Sequence, residues 1–490
     1  MSRLCLYLPD HPTPREIERV RSVARALEGQ ITCLIGGSSN SEPPISDGLP
    51  EDLKVPKFPA AAIHTRKSEI EALDLDAVIS LAESPADGPQ PPIAARYGAW
   101  TFVEGDPRRY SGPHALTRAI AEGSSYVGIT LKRWQAPELE WTVLAFVDVR
   151  RRPWDDLTAL RRRLDLYLPL MIEEALERVN NDRCLFIKPP EQEPDTVWLH
   201  RFNLLKQRTT DVKYLVHLAL APFARLFYNG KTNIILFHNP VPDVLDDLLA
   251  QLSKLGPFVR YSQVIEEFRE RRTLTPGFVI TFDDGYKHNM AVLDVLDRHG
   301  CKAMFFVNTA SVDQDCPLWF MNKDTNFLSW KADLKTMAYQ PFLETIDRVG
   351  LTKPSPLRGR FGLKSEEIRT LAARGHEVGV HTHNHPFLSQ LRDDEIQYEV
   401  SECFNRLRNI LRDDSLPLHI AYPDGDYDEK VMAVFNKMGA RSAVTLHPGP
   451  LNDATDFLEL PRYGLADVDY PGFALFKLTE AYAMLKGYRG

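Results

Sequence analysis

From residue 233 onward, short apolar runs alternate with stretches of helical spacing, and this rhythm constrains the fold more than any other feature of the chain. Residues 233–237, 278–282, 303–307, 377–380, 420–422 and 442–446 read as strands. Residues 291–298, 365–374, 393–411 and 429–438 read as helices between them. Strands that are apolar on both faces and separated by helices belong to parallel βα units in a sheet or barrel. Residues 311–362 break the rhythm with Trp, Pro and Lys and read as an insertion. Beside the strand ends of a barrel, such segments shape substrate sites.

The first third is a separate α/β unit. Residues 4–8, 31–35 and 77–81 read as strands, and 38–60 as a loop. Residues 14–27 read as a helix with Ile17, Val20, Val23 and Leu27 on one side. Residues 157–179 read as one long helix kinked at Pro169, with Arg161, Arg162 and Arg163 on a solvated face. Three prolines among residues 188–194 make a stiff, solvated linker. The expected division is an open α/β domain at 1–185, a linker and connecting helix at 186–232, and a second domain at 233–490.

Composition narrows the function classes. With 43% hydrophobic and 26% charged residues the chain can build cores, which excludes a disordered or fibrous protein. A net charge of −8 lacks the basic footprint of a nucleic-acid binder, so no nucleic-acid partner is expected. The six cysteines include no Cys-x-x-Cys pair and read as reduced thiols. The opening apolar run ends at Pro9, too short for a signal-peptide core, so a cytoplasmic protein is expected. Residues 212–228 form the most apolar stretch, but Lys213, His217, Pro222 and Arg225 make it a buried or interfacial helix rather than a span. Peripheral contact with a membrane is left open.

Two strands run straight into polar clusters. Val279-Ile280-Thr281-Phe282 leads into Asp283-Asp284-Gly285. Carboxylates at the end of a buried strand are costly unless a cation or hydrogen bonds compensate. Adjacent side chains on a strand point to opposite sides, so the two can divide labour between a metal and a substrate. The rival reading is a solvated turn, for which Asp-Asp-Gly is good chemistry. Val378-Gly379-Val380 then leads into His381-Thr382-His383-Asn384-His385. His381 and His385 are four apart and can share a metal, while a surface turn is the alternative.

In order and context these clusters resemble the NodB-type polysaccharide deacetylases, carbohydrate esterase family 4. Thr281-Phe282-Asp283-Asp284-Gly285 matches the first motif, and His381-Thr382 with His385 the second. Ala421-Tyr422-Pro423-Asp424-Gly425 is similar to the family's proline–glycine loop. The resemblance spans roughly 233–465 and implies a distorted (β/α) barrel that removes acetyl groups from N-acetylated sugars. It implies Asp284, His381 and His385 as ligands of a divalent metal, zinc first, with cobalt, nickel, manganese or iron as alternatives. It makes Asp283 the general base and Tyr422, Pro423, Asp424 and Gly425 a substrate-binding loop, whose Asp424 N–H faces the oxyanion. His447, in Leu446-His447-Pro448, is the candidate general acid, and a turn histidine is its rival reading. His238, after Leu236-Phe237, is a site-lining candidate, and His383 is given no ligand role. Two positions depart from the family. Ala421 stands where many members carry an arginine, and Asp424 where an aromatic is usual. Arg462, in Leu460-Pro461-Arg462, is the candidate to supply the missing charge, with a surface arginine as the alternative.

The N-terminal part resembles the formyltransferase fold over about residues 75–180. The likeness rests on Tyr97-Gly98-Ala99-Trp100, on Gly105-Asp106-Pro107-Arg108-Arg109-Tyr110-Ser111-Gly112, and on Gly128-Ile129-Thr130-Leu131. The family's Asn, His and Asp set is incomplete: Val103-Glu104-Gly105 fills the histidine's neighbourhood, and His114 is a weak substitute. A degenerate domain that binds a ligand or holds a homodimer together is therefore expected. The leading expectation is a metal-dependent N-deacetylase acting on an amino sugar, glycan precursor or glycosylated metabolite. Its rivals are a formyl or acyl transferase working through the N-terminal domain and a non-catalytic glycan-binding protein.

Overall fold

A computed structural model describes residues 2–9, 12–36, 55–58, 66–82, 93–110, 114–134, 141–152, 155–188, 230–321, 328, 330–452, 455–465 and 471–478. The expected linker beyond residue 188, the apolar stretch 212–228 and most of the loop 38–60 lie outside these residues. The chain divides into two units, one of residues 1–210 with 356–358 and one of 211–355 with 359–490. No helix among the described residues is long and apolar enough to cross a membrane.

The first unit is built on an eight-stranded sheet. Its strands are β1 (Leu4–Tyr7), β2 (Ile31–Ile35), β3 (Lys57–Phe58), β4 (Ala77–Ser80), β5 (Ala99–Glu104), β6 (Tyr126–Arg133), β7 (Trp141–Arg150) and β8 (Leu185–Ile187). They lie in the order β3-β2-β1-β4-β5-β6-β7-β8, parallel as far as β5 and antiparallel after it. Helix Pro14–Ala26 starts where Thr13 and Glu16 form a capping box. The expected kinked helix is two helices, Leu157–Asp165 and Leu168–Asn180. Pro169 stands in the first turn of the second, where its missing N–H removes no helical bond, so the chain begins a new helix there. Of the expected solvated arginine face, Arg162 is exposed, and the other two are corrected. Arg163 is fully buried and grips Asp155 at 2.5 and 2.9 Å. Arg161 pairs with Glu104 at 2.7 and 3.1 Å.

The second unit holds seven parallel strands: β9 (Thr232–Phe237), β10 (Gly277–Phe282), β11 (Met304–Val307), β12 (Glu377–Val380), β13 (His419–Ala421), β14 (Ser442–Val444) and β15 (Tyr463–Gly464). Their order is β14-β13-β12-β11-β10-β9-β15. Both faces of the central strands are buried, as their apolar composition requires. The segment 460–464 is the seam of this distorted (β/α) barrel. Leu460 bridges Val444 on one edge, and Tyr463 and Gly464 pair with Ile235 and Leu236 on the other. Helices Pro242–Leu252, Tyr261–Arg269, Ser365–Ala373, Asp393–Leu411 and Glu429–Lys437 cover the strands. The expected helix at 291–298 begins later, as Leu293–Arg298, after a 3₁₀ stretch at Lys287–Val292.

Candidate active site

Strand β10 delivers the two carboxylates. The Asp283 N–H donates to Phe237 O at 2.9 Å, which extends the ladder with β9 one residue past the strand. Asp284 then turns into the left-handed region at φ 75°. Gly285 follows at φ 64°, where a Cβ would stand 2.9 Å from the Val307 side chain. Nine non-glycine residues in the described part have positive φ, and four of them are Asp284, Thr382, His385 and Asp424. Such strain persists only where the surroundings over-determine the backbone, and it gathers at sites of chemistry.

Asp284 Oδ1 lies 3.3 Å from His381 Nε2 and 3.6 Å from His385 Nε2. The three ligand atoms lie within 4.8 Å of one another, and among the described residues no other His, Cys, Asp or Glu group of three is so arranged. All three side chains are buried. Ligand atoms about 2.1 Å from one tetrahedral ion stand about 3.4 Å apart, so the spacing fits a divalent cation. Two further observations agree. Asp284 Oδ1 is buried without a hydrogen bond. His381 Nδ1 lies 2.8 Å from Ala421 O, and a carbonyl can only accept, so the proton is on Nδ1 and Nε2 offers its lone pair. One carboxylate and two imidazoles leave open positions, the arrangement of a catalytic rather than a structural site.

Electrostatics point the same way. Burial pushes the Asp284 carboxyl up, but His381, His238 and His385 outweigh it and hold the group at about 2. Burial, with the neighbouring His381, pushes His385 down to about 3, so its imidazole is neutral and can act as a ligand. His381 is opposed by burial, yet Asp283 and Asp284 hold it above its ordinary value. The pocket favours positive charge.

Asp283 is held from the barrel seam. Arg462 is fully buried and closes a two-pronged fork on it, Nη1 to Oδ1 at 2.8 Å and Nη2 to Oδ2 at 2.7 Å. Its Nε donates to Thr445 O at 3.0 Å, which fixes the plane of the fork. Burial opposes ionisation of Asp283, but Arg462 and then His381 hold its pKa below the ordinary value. Arg462 is therefore not a surface residue.

The remaining candidates are spread around this centre. Tyr422 is a core side chain that stacks on Tyr427 and Phe435 and donates its hydroxyl to Leu458 O at 2.9 Å. Pro423 is buried, and Gly425 turns at φ 66° beside Leu446. Asp424 faces the insertion, where Lys331 Nζ donates to its Oδ1 at 2.6 Å, and its charge also bears on His385. His447 is exposed. Tyr427 donates its hydroxyl to Glu459 at 3.0 Å, so it accepts from His447 Nδ1 at 3.2 Å. The His447 carbonyl accepts the Arg462 N–H at 2.9 Å. His238 is exposed, and its charge bears on both Asp283 and Asp284. His383 meets Thr309 Oγ1 at 2.9 Å.

Several residues at the site have no motif to mark them. Trp319 donates its indole N–H to His385 O at 3.0 Å, and the Phe320 ring lies 4.4 Å from the His385 ring. Asn308 donates its amide to the His381 carbonyl. Glu399 accepts the backbone N–H groups of His383 and Asn384, both at 2.8 Å. A signal for Glu399 was present in the sequence: an acidic residue between Ile396 and Val400 on the apolar face of a helix.

Residues 271–443 match the family model for polysaccharide deacetylase. The chain is 36% identical over 74 residues to a chitooligosaccharide deacetylase of Bradyrhizobium sp. (strain ANU 289), a match covering 15% of this chain and 33% of the relative. It thus spans about a third of the length of that relative. Among solved structures it is similar to the deacetylase PplD of Streptococcus pyogenes in complex with acetate, with TM-score 0.38 and 18% identity, covering 51% of this chain and 98% of that one. It is also similar to glycinamide ribonucleotide transformylase 1 of Symbiobacterium toebii, with TM-score 0.29 and 13% identity, covering 38% and 95%.

Proposed function

We propose that the C-terminal unit, which carries the polysaccharide deacetylase domain, hydrolyses the N-acetyl amide of an amino sugar, glycan precursor or glycosylated metabolite. The observation that carries this reading is the convergence of Asp284, His381 and His385 on one point beside an arginine-held Asp283. A divalent cation bound by the three ligand atoms, zinc first among the candidates, would supply Lewis acidity toward the amide carbonyl.

The chain's own residues do the rest. Asp283 takes the proton of the attacking water, using a lone pair outside the Arg462 fork. Arg462 keeps that carboxylate ionised and oriented, and so replaces the arginine absent at Ala421. The oxyanion faces the Asp424 N–H, in a loop whose left-handed turn at φ 52° is held through Lys331. A histidine protonates the leaving amine. His447 is the candidate for that donor, its Nδ1 set by the Tyr427 hydroxyl at 3.2 Å, which leaves Nε2 for the amine.

The first unit is given no formyl-transfer role. Glu104, where the formyltransferase resemblance asks for a histidine, is occupied by Arg161. The test of the whole reading is release of acetate from N-acetylated chitooligosaccharides and sugar precursors by zinc- or cobalt-loaded protein, beside Asp284→Ala and His381→Ala. Turnover by the wild type that is lost in both variants supports it. Turnover that survives both variants and disappears on removing residues 1–185 favours transfer by the first unit. Binding of sugar without turnover favours the glycan-binding alternative.

A further inference from the structure

The turn that carries His381 and His385 is gripped by a carboxylate with no part in the chemistry above. Glu399 lies on helix Asp393–Leu411 and is fully buried. Its Oε2 accepts the N–H groups of His383 and Asn384, each at 2.8 Å. Its Oε1 accepts the Asn384 side-chain amide at 2.8 Å and the Tyr339 hydroxyl. A carboxylate offers about four acceptor positions, and four donors fill them.

The insertion takes part in this grip. Tyr339 opens helix Tyr339–Arg348, and its hydroxyl also receives the Asn384 amide at 3.3 Å. Burial, and then the neighbouring Glu399, raise its pKa, so the phenol remains a donor. Trp319, also in the insertion, holds the carbonyl of His385.

The turn needs such support. Thr382 and His385 stand at φ 65° and 55°. Left-handed backbone is unfavourable for a residue with a Cβ, so an unsupported turn would relax toward ordinary φ. Relaxation would separate ligand atoms now 3.3 and 3.6 Å from the Asp284 oxygen. We propose that Glu399 and Tyr339 are positioning residues that set the affinity of this group for a divalent cation, and that the insertion is thereby coupled to the site. The proposal rests on reading the three ligand atoms as a metal site. By reciprocity, the cation must also stabilise the packing of helix Tyr339–Arg348 against the turn.

The test is cobalt titration of the metal-stripped full chain, followed by calorimetry and visible absorption, for wild type, Glu399→Gln, Tyr339→Phe and the surface control Glu344→Gln. In Glu399→Gln an amide N–H₂ faces the donors of the turn, so cobalt binding weakens about tenfold to a hundredfold and its spectrum changes. Tyr339→Phe keeps the ring and removes one donor, so it folds and weakens binding by a smaller factor. Glu344→Gln binds as wild type. Hydrogen exchange across Tyr339–Arg348 slows on adding cobalt to wild type and slows less in Tyr339→Phe. Should Glu399→Gln fail to fold, Tyr339→Phe decides alone. Wild-type cobalt affinity, spectrum and exchange in the folded variants would overturn the proposal and leave the metal site standing. A wild type that binds no cobalt would overturn the metal reading and the proposal together.

Discussion

Arg462 reaches from the seam of the barrel to grip both oxygens of Asp283, at 2.8 and 2.7 Å, with both side chains shut off from solvent. The two residues are 179 apart in sequence and meet because Leu460 bridges β14 while Tyr463 pairs with β9. The segment that closes the barrel therefore also carries the arginine that holds the proposed base.

Replacing Arg462 by Met leaves a buried carboxylate without its partner. Stability should fall by about 3–5 kcal/mol, measured by denaturant unfolding. Asp283 then loses the charge that holds its pKa down, so it protonates at higher pH. The acid limb of the pH–rate profile should move upward, and kcat should drop about 10²-fold or more. An unmoved acid limb would mean that Asp283 is not the base.

His238 and His447 make opposite predictions. If His447 donates the proton to the leaving amine, His447→Ala loses about 10²–10⁴ in kcat while cobalt affinity is little changed. His238→Ala then behaves as a rim substitution with a modest effect on KM. The reverse pattern in steady-state kinetics would give the role to His238.

Gly379 lies in β12, two residues before His381, against the Phe306 ring. A Cβ there would stand 2.6 Å from Phe306 Cδ1 and 3.1 Å from His419 O. Gly379→Ala should cost about 1–3 kcal/mol through overpacking. It should also weaken cation binding, because the displaced strand carries His381. Thermal unfolding with and without cobalt separates the two effects.

Two buried histidines away from the ligand group set a pH dependence of stability. Burial pushes His376 down to about 4 and His419 to about 3. His376 Nδ1 accepts the Ala303 N–H at 3.2 Å, which requires the neutral ring. Both have folded pKa values below the unfolded value of about 6.5. Below that pH the unfolded chain binds protons that the folded chain refuses, so stability is complete above about 6.5 and declines as pH falls toward 4. Each histidine contributes up to about 1.4 kcal/mol per pH unit in that window. His419→Gln should flatten the slope of unfolding free energy against pH between 6.5 and 4. An unchanged slope would contradict the assignment.

The central strands were legible because apolar runs bounded by helices have few alternatives, and β12 begins and ends where the sequence places it. The clusters at residues 283–284 and 381–385 were legible because polar residues at the end of buried strands need a reason. The seam was not, since a two-residue strand such as Tyr463–Gly464 has no periodicity to read. The burial of Arg163 is not legible, because local sequence shows neighbouring charges but not the Asp155 that the fold brings beneath it. The helices break before Leu168 rather than at Pro169, because a proline is accommodated in the first turn of a helix. The role of Glu399 depends on donors 15, 16 and 60 residues away, which only the folded chain assembles.

The most direct test of the account is the count of divalent ions bound per chain, measured by elemental analysis of the purified protein beside Asp284→Ala and His381→Ala. About one ion is expected in the wild type and a loss in both variants, as for a site built from one carboxylate and two imidazoles. No bound ion after supply of zinc or cobalt, or undiminished binding in both variants, would contradict it.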